Sequence, residues 1–202
     1  MKGLPIYFNI ENKTIIVVGA GTAAAIKIKK LIDFEANIIV IAPKICKQIC
    51  EYETQKLLKV KRKKFDKEDL FVNNIIISAA DYETNQFVYK CAKEKGLICC
   101  VCSKNLEGDF IFPSHKKKGD IVVTAVTSGK YPLMSKKICE EINLDIADSL
   151  DFLKEKRDFV LKNIKDKTKK RKILNEFIED ENYKHPDKIE NILKRYLNEQ
   201  SN

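Results

Sequence analysis

The stretch VVGAGTAAAIKIKK, residues 17–30, decides how the first half of the chain is read. Gly19 and Gly21 are followed by Ala24, so the pattern is G-x-G-x-x-A. The residues before it, 14–18, read as a strand, and residues 22–34 after it read as a helix. Gly19 permits a tight strand-to-helix turn. Gly21 has no side chain to hold a pyrophosphate away from the backbone. The first N–H groups of the helix and its partial positive charge then face that pyrophosphate. Ala24 is small enough for close helix–strand packing. A sharp turn without a ligand is the competing reading, and the strand–helix setting favours the nucleotide site.

The neighbouring segments supply that setting. Residues 37–42 (NIIVIA) read as a second strand, and Pro43 opens a helix expected to reach residue 56. Residues 57–63 form a short basic strand, 74–80 (NIIISAA) a buried strand, 83–95 a helix stopped by Gly96, and 97–102 another buried strand. This alternation predicts a parallel sheet with helices on both faces, the Rossmann type of α/β fold. After Pro113 the pattern changes. Residues 120–126 (DIVVTAV) read as a strand with no crossover helix before it, and Pro132 opens a helix to about residue 143. From residue 145 on, only helical spacing is seen, with Lys165 to Lys172 as a solvated linker or helix start. The expected organisation is a nucleotide-binding domain (1–113), a short central segment (114–144) and a small all-helical domain (145–202).

Composition sets the bounds. In 202 residues, 44% hydrophobic and 33% charged, the chain has enough apolar content for a packed core. No apolar run approaches the roughly 20 residues of a membrane span. The first residues lack the apolar core of a signal peptide, so the chain reads as cytoplasmic, with no membrane partner. The seven cysteines read as buried reduced thiols, with Cys99, Cys100 and Cys102 in an apolar strand-like run, and no metal site is assigned. The net charge of +9 is uneven: the first 144 residues hold 24 Lys/Arg against 16 Asp/Glu, the remainder 14 against 13. That excess suits an anionic ligand or nucleic acid, and a lysine-rich genome would produce it equally.

One element of the nucleotide fingerprint is missing. An acid about 20 positions on should close the second strand and bind the ribose 2′-hydroxyl. Here that strand ends Ile41-Ala42-Pro43-Lys44. The ribose is left to backbone groups or other side chains, Lys44 can meet a 2′-phosphate, and NAD and NADP both stay open.

Several stretches together resemble the siroheme synthase N-terminal module and its stand-alone relatives, precorrin-2 dehydrogenase/sirohydrochlorin ferrochelatase. They are Leu4-Pro5-Ile6-Tyr7-Phe8, the turn Gly19-Ala20-Gly21-Thr22-Ala23-Ala24-Ala25-Ile26-Lys27, Ala42-Pro43, Ala79-Ala80-Asp81, Asp109-Phe110-Ile111-Phe112-Pro113-Ser114, Gly119-Asp120-Ile121 and Thr127-Ser128-Gly129-Lys130-Tyr131-Pro132. The motifs span residues 3 to 144 in the family's order, and the helical tail matches only in kind. The resemblance implies NAD-dependent oxidation of precorrin-2 to sirohydrochlorin. For some members it also implies insertion of Fe²⁺, with Co²⁺ the counterpart in the cobalamin branch. It implies a homodimer built largely from the segment after Pro113. By position, Thr22, Ala23, Pro43 and Lys44 match the family's NAD contacts, and Ala80 joins Gly19 and Gly21 at the cofactor. A polycarboxylate tetrapyrrole would also account for a basic cleft, to which Lys61, Arg62, Lys63 and Lys64, or Lys116, Lys117 and Lys118, are candidates; a solvated surface is the plainer role of each run.

The departure from the family lies at Ser103. The family ends this strand with a catalytic Asp, and counting back from Phe110 puts Ser103 there. A serine hydroxyl is no general base near neutral pH without an activating partner. Asp109 is a candidate to take the proton, as is water, and Asp109 equally suits an N-cap or turn. Thr127 and Ser128 are candidates to bind a substrate carboxylate, or to cap the helix that Pro132 opens. His115 titrates near neutral pH, although beside three lysines an exposed surface position is the simpler reading. The alternative to the enzyme is an NAD- and tetrapyrrole-binding module without turnover. A redox-sensing nucleic-acid regulator finds no helix-turn-helix pattern and no aromatic-interleaved basic stretch, so no nucleic-acid partner is expected.

Overall fold

A computed structural model describes residues 3–11, 13–71, 74–103 and 108–198. The chain divides into two compact units, Met1–Phe112 and Pro113–Asn202. The second unit holds both the central segment and the helical region that sequence separates at residue 144.

The first unit is built on Ile- and Val-rich strands: β1 (Thr14–Val18), β2 (Asn37–Ile41), β3 (Lys59–Lys61), β4 (Asn74–Ser78) and β5 (Ile98–Val101). They form one parallel sheet in the order β3-β2-β1-β4-β5. Ile15 and Val17 point to one face, where they pack with Ala24, Ile28 and Leu31 of α1 (Thr22–Ile32) and Ile49 of α2 (Lys47–Thr54). Ile16 and Val18 point to the other, with Val88 and Ala92 of α3 (Tyr82–Glu94). Cover on both faces is why these strands read as continuous apolar runs rather than alternating ones.

Pro43 does not open a helix. Cys46 is extended and α2 starts at Lys47. The Cys46 N–H donates to the Ala20 carbonyl (3.0 Å), which draws the loop after β2 onto the glycine turn. A long-range hydrogen bond thus overrides the local helix-start signal.

Just beyond β3 lies a buried carboxylate. Asp69 is 3% exposed. It takes Lys63 at 2.8 Å and Lys61 at 3.4 Å, and accepts the Asp66 N–H at 3.0 Å. Burial pushes its carboxyl up, but the lysines and the backbone N–H outweigh that and hold it below the ordinary value. Asp69→Asn is therefore expected to destabilise this unit by about 2 kcal/mol at pH 7. A depressed carboxyl contributes stability above its unfolded value and loses it as pH falls through the folded value. The gap between wild type and variant in urea denaturation should therefore close below about pH 4.

The second unit opens with a hairpin. β6 (Ser114–Lys118) and β7 (Ile121–Ala125) are antiparallel, joined through Gly119 at φ 55°. β6 is a strand that sequence reading does not assign, because SHKKK has no apolar alternation. Its lysines are tethers: Lys116 Nζ donates to the carbonyls of Glu140 (3.0 Å) and Ile142 (2.8 Å), and Lys118 pairs with Asp148 (2.6 Å). Lys116 and Lys118 are thus each held by partners within this unit. Pro132 opens α4 (Pro132–Glu141) as expected. α5 (Leu150–Asn163), α6 (Lys167–Ile178) and α7 (Pro186–Asn198) pack around Val160, Ile173, Phe177, Ile189 and Leu193. The basic run begins α6 itself, capped by Asp166, which accepts the Lys169 N–H. Among the described residues no helix is long and apolar enough to cross a membrane.

Candidate functional site

The chain leaves β1 toward β2 on one side and later returns to β4 on the other. That switch point, at the carboxyl ends of β1 and β4, is where open parallel sheets take ligands. Gly19 sits there at φ +100°. A Cβ on it would lie 2.2 Å from the Ala79 carbonyl oxygen. The Gly19 N–H donates to Ile41 O (3.0 Å), and the Ala79 N–H donates to Val18 O (2.8 Å). The loops after β1, β2 and β4 are thus joined at one edge.

Gly21 differs. It is the N-cap of α1 with no side-chain cap, and no acid lies in the first turn. A Cβ on Gly21 would meet nothing within 4 Å. Its own fold does not require a glycine here, and the missing side chain leaves room for something outside the chain. Thr22 and Ala23 beside it are exposed. The first intrahelical bond is Ala25 N–H to Gly21 O, so the amides before it face outward as an anion site. A dinucleotide pyrophosphate fits this cradle.

The loop carrying Ala80 is fixed by a residue that sequence reading missed. Asn85, buried on α3, accepts the Ser78 hydroxyl (2.6 Å) and the Ala80 N–H (3.0 Å) and donates to Ala80 O (3.1 Å). The available signal was a serine ending an apolar strand with an asparagine seven positions on. Asp81 caps α3, and the Thr84 N–H that it accepts holds its carboxyl below the ordinary value. Asn85→Leu should leave Ser78 and both polar groups of Ala80 unpaired. It is expected to destabilise the unit by about 2–3 kcal/mol, read by thermal denaturation.

Ser103 and Asp109 separate. The Cys102 N–H donates to Ser78 O (2.8 Å), so β5 runs on to the carboxyl edge, where Ser103 is half-buried. Lys104 and the residues to 107 lie outside the described residues. Asp109 lies alongside β5 instead. Its N–H donates to Cys99 O (2.8 Å), its carboxylate accepts the Cys99 N–H (2.9 Å), and its other oxygen pairs with Lys93 (2.8 Å). Gly108 permits the approach, since a Cβ there would lie 2.5 Å from Cys99 O. Asp109 is an edge clamp on β5, which favours the turn role over the proton acceptor. Contact with Cys100, helped by Lys27, lowers the Cys102 thiol against its own burial. Burial pushes Cys99 up to about 12.

Three expected substrate residues lie in the second unit. The Thr127 hydroxyl accepts the Tyr131 N–H (3.2 Å), and the turn closes through Lys130 N–H to Thr127 O (3.0 Å). Ser128 is held at φ 52°, a conformation that a non-glycine residue adopts only under constraint. His115 is half-buried on β6, not an exposed surface residue. It lines a cavity of about 220 Å³ with Ser114, Lys116, Lys136, Cys139 and Glu140. The pairing of Ser114 with Ala125 puts His115 and Thr127 toward the same end of the hairpin.

Comparison with known proteins matches this geometry. The family model described as "Putative NAD(P)-binding" matches residues 6–114. The precorrin-2 dehydrogenase of Priestia megaterium is 30% identical over 181 residues, 87% of this chain and 89% of that protein. The chain belongs to the precorrin-2 dehydrogenase family. A solved structure of a member, "SirC, precorrin-2 dehydrogenase", superposes with a TM-score of 0.73 at 28% identity, over 96% of this chain and 98% of that one. The siroheme synthase of Baumannia cicadellinicola subsp. Homalodisca coagulata is 32% identical over 143 residues, 70% of this chain and 31% of that longer protein. Family membership thus extends over both units, and the family model includes the nucleotide turn.

Proposed function

We propose that the chain oxidises precorrin-2 to sirohydrochlorin with NAD⁺. The observation that carries this is the cradle at Gly21: free helix amides and open space at the switch point, in a chain that matches a precorrin-2 dehydrogenase along nearly its whole length. Bound NAD⁺ supplies the hydride acceptor. The protein does the rest. The amides of Thr22 and Ala23 hold the pyrophosphate, while Pro43 and Lys44 flank the adenosine ribose. Ala80 is held at the cofactor edge by Asn85. In the second unit, the hydroxyls of Thr127 and Ser128 and the imidazole of His115 bind substrate carboxylates. Loss of hydride is matched by loss of one proton, and position 103 stands where the family keeps its acceptor. Ser103 orients rather than deprotonates, and the proton leaves to water.

The chain works as a homodimer formed by the segment after Pro113. Exposed Leu133, Met134 and Ile138 on α4, with Val126 and Tyr131 before it, support that assembly; sedimentation velocity tests it. The decisive assay is anaerobic incubation with precorrin-2 and NAD⁺, following NADH absorbance and the sirohydrochlorin spectrum. Both binding without turnover would sink the dehydrogenase reading and leave a binding module, the role favoured by Ser103. Fe²⁺ or Co²⁺ added to sirohydrochlorin tests metal insertion as a separate reaction. Among the described residues no group of three His, Cys, Asp or Glu side chains could hold a metal ion.

A further inference from the structure

The two faces of β5 place its cysteines in different surroundings. Cys99 is buried with Val88, Cys91 and Ala92 of α3, and burial pushes its thiol up to about 12. Cys100 and Cys102 lie on the opposite face, in the apolar cluster that α1 covers. Residues two apart on a strand share a face at a spacing of roughly 6.6 Å, and these two side chains are in contact. Cys100 is buried, and Cys102 is half-buried at the carboxyl edge.

A cation completes the group. Lys27, half-buried on α1, lies over the Phe112 ring at 5.3 Å, and among the described residues no carboxylate holds its ammonium. Its charge acts on both thiols. The rings of Phe110 and Phe112, 5.7 Å apart, pack on the same cluster. The pair therefore divides its protons unequally. Contact with Cys102 and burial push the Cys100 thiol up, so it keeps its proton, while contact with Cys100 and the Lys27 charge lower the thiol of Cys102. Cys50 offers a contrast: it is exposed, but the cation beside it, Arg62, is already held by Glu53.

We infer that Cys102 is a redox-modifiable thiol, activated by Cys100 and Lys27 and oxidised by hydroperoxides to a sulfenic acid. The thiolate sulfur attacks one peroxide oxygen and the O–O bond breaks. The departing hydroxide takes a proton from solvent and leaves as water, so the sulfur loses two electrons and the peroxide gains them. The test exposes the full chain to hydrogen peroxide at pH 7, traps sulfenic acid with dimedone and locates it by peptide mass spectrometry. Labelling of Cys102 is expected to start about tenfold faster than that of Cys50, because an ordinary thiol is only a few per cent thiolate at this pH. Lys27→Gln should slow the labelling of Cys102 about fivefold, and Lys27→Arg, which keeps the cation, should restore it. Cys100→Val removes the neighbouring thiol while keeping the core filled, and should also slow Cys102 with Cys50 unchanged. Labelling of Cys102 no faster than that of Cys50 refutes the site. A Cys102 rate unchanged in both Lys27→Gln and Cys100→Val refutes the activation by its neighbours.

Discussion

Gly19→Ala is expected to remove most of the stability of the amino-terminal unit, and Gly21→Ala only a small part of it. The two glycines lie two residues apart in one turn, and only their surroundings differ. At Gly19 the added carbon would stand 2.2 Å from Ala79 O, with Ala80 N at 2.9 Å. That backbone cannot retreat, because the Ala79 N–H is bonded to Val18 O and Ala80 is bonded twice to Asn85. The φ of +100° adds strain for any side chain. A loss above about 4 kcal/mol follows, a large part of the stability of an ordinary domain. At Gly21 the new carbon meets nothing within 4 Å, and the cost is only that of a poorer N-cap, about 0.5–1 kcal/mol. It would nevertheless stand where a pyrophosphate approaches the backbone. Nucleotide affinity should drop about 10- to 100-fold, a penalty of roughly 1.4–2.7 kcal/mol. Thermal denaturation and NAD⁺ titration on both variants separate the effects. A Gly21→Ala protein that binds NAD⁺ like wild type would remove the cradle from the proposal.

The same contrast explains what could be read from sequence. β1, β2, β4 and β5 were legible because burial on both faces demands unbroken Ile, Val and Cys, which few other contexts allow. The turn was legible because its glycines answer to backbone needs. β6 was not, since its half-burial depends on α4 packing against it and on lysine stems reaching Glu140, Ile142 and Asp148, partners up to 30 positions away. Pro43 misled for a related reason: a local helix-start preference lost to one hydrogen bond across the edge, Cys46 to Ala20. Asp109 carried two readings, and the contact that favours one of them requires Gly108 to lie against β5. In each case the hidden information was a long-range polar contact, to which periodicity is blind.

Ser103→Asp is expected to raise the turnover of precorrin-2 with NAD⁺ by about 100-fold, the lower range of what a positioned general base contributes. β5 and its extension through Cys102 N–H to Ser78 O already deliver position 103 to the carboxyl edge, so the change needs no rearrangement of the strand. The gain should appear in kcat with little change in KM, because a proton acceptor acts in the transition state and not in binding. It should also bring a new pH dependence. A carboxylate accepts a proton only when ionised, so the variant's rate should fall as pH drops through the introduced group's pKa, while wild type shows no such limb from this position. Asp109→Asn provides the contrast. It breaks the Lys93 pair and weakens the bond to Cys99 N–H, so it should loosen the β5 edge and lower thermal stability without adding or removing a limb in the pH profile. Initial rates of NADH formation from pH 5 to 8 distinguish these outcomes. An unchanged kcat in Ser103→Asp would mean that proton removal does not limit the wild-type reaction. In that case the absent carboxylate reflects a tolerated loss, and the choice between dehydrogenase and binding module no longer turns on residue 103.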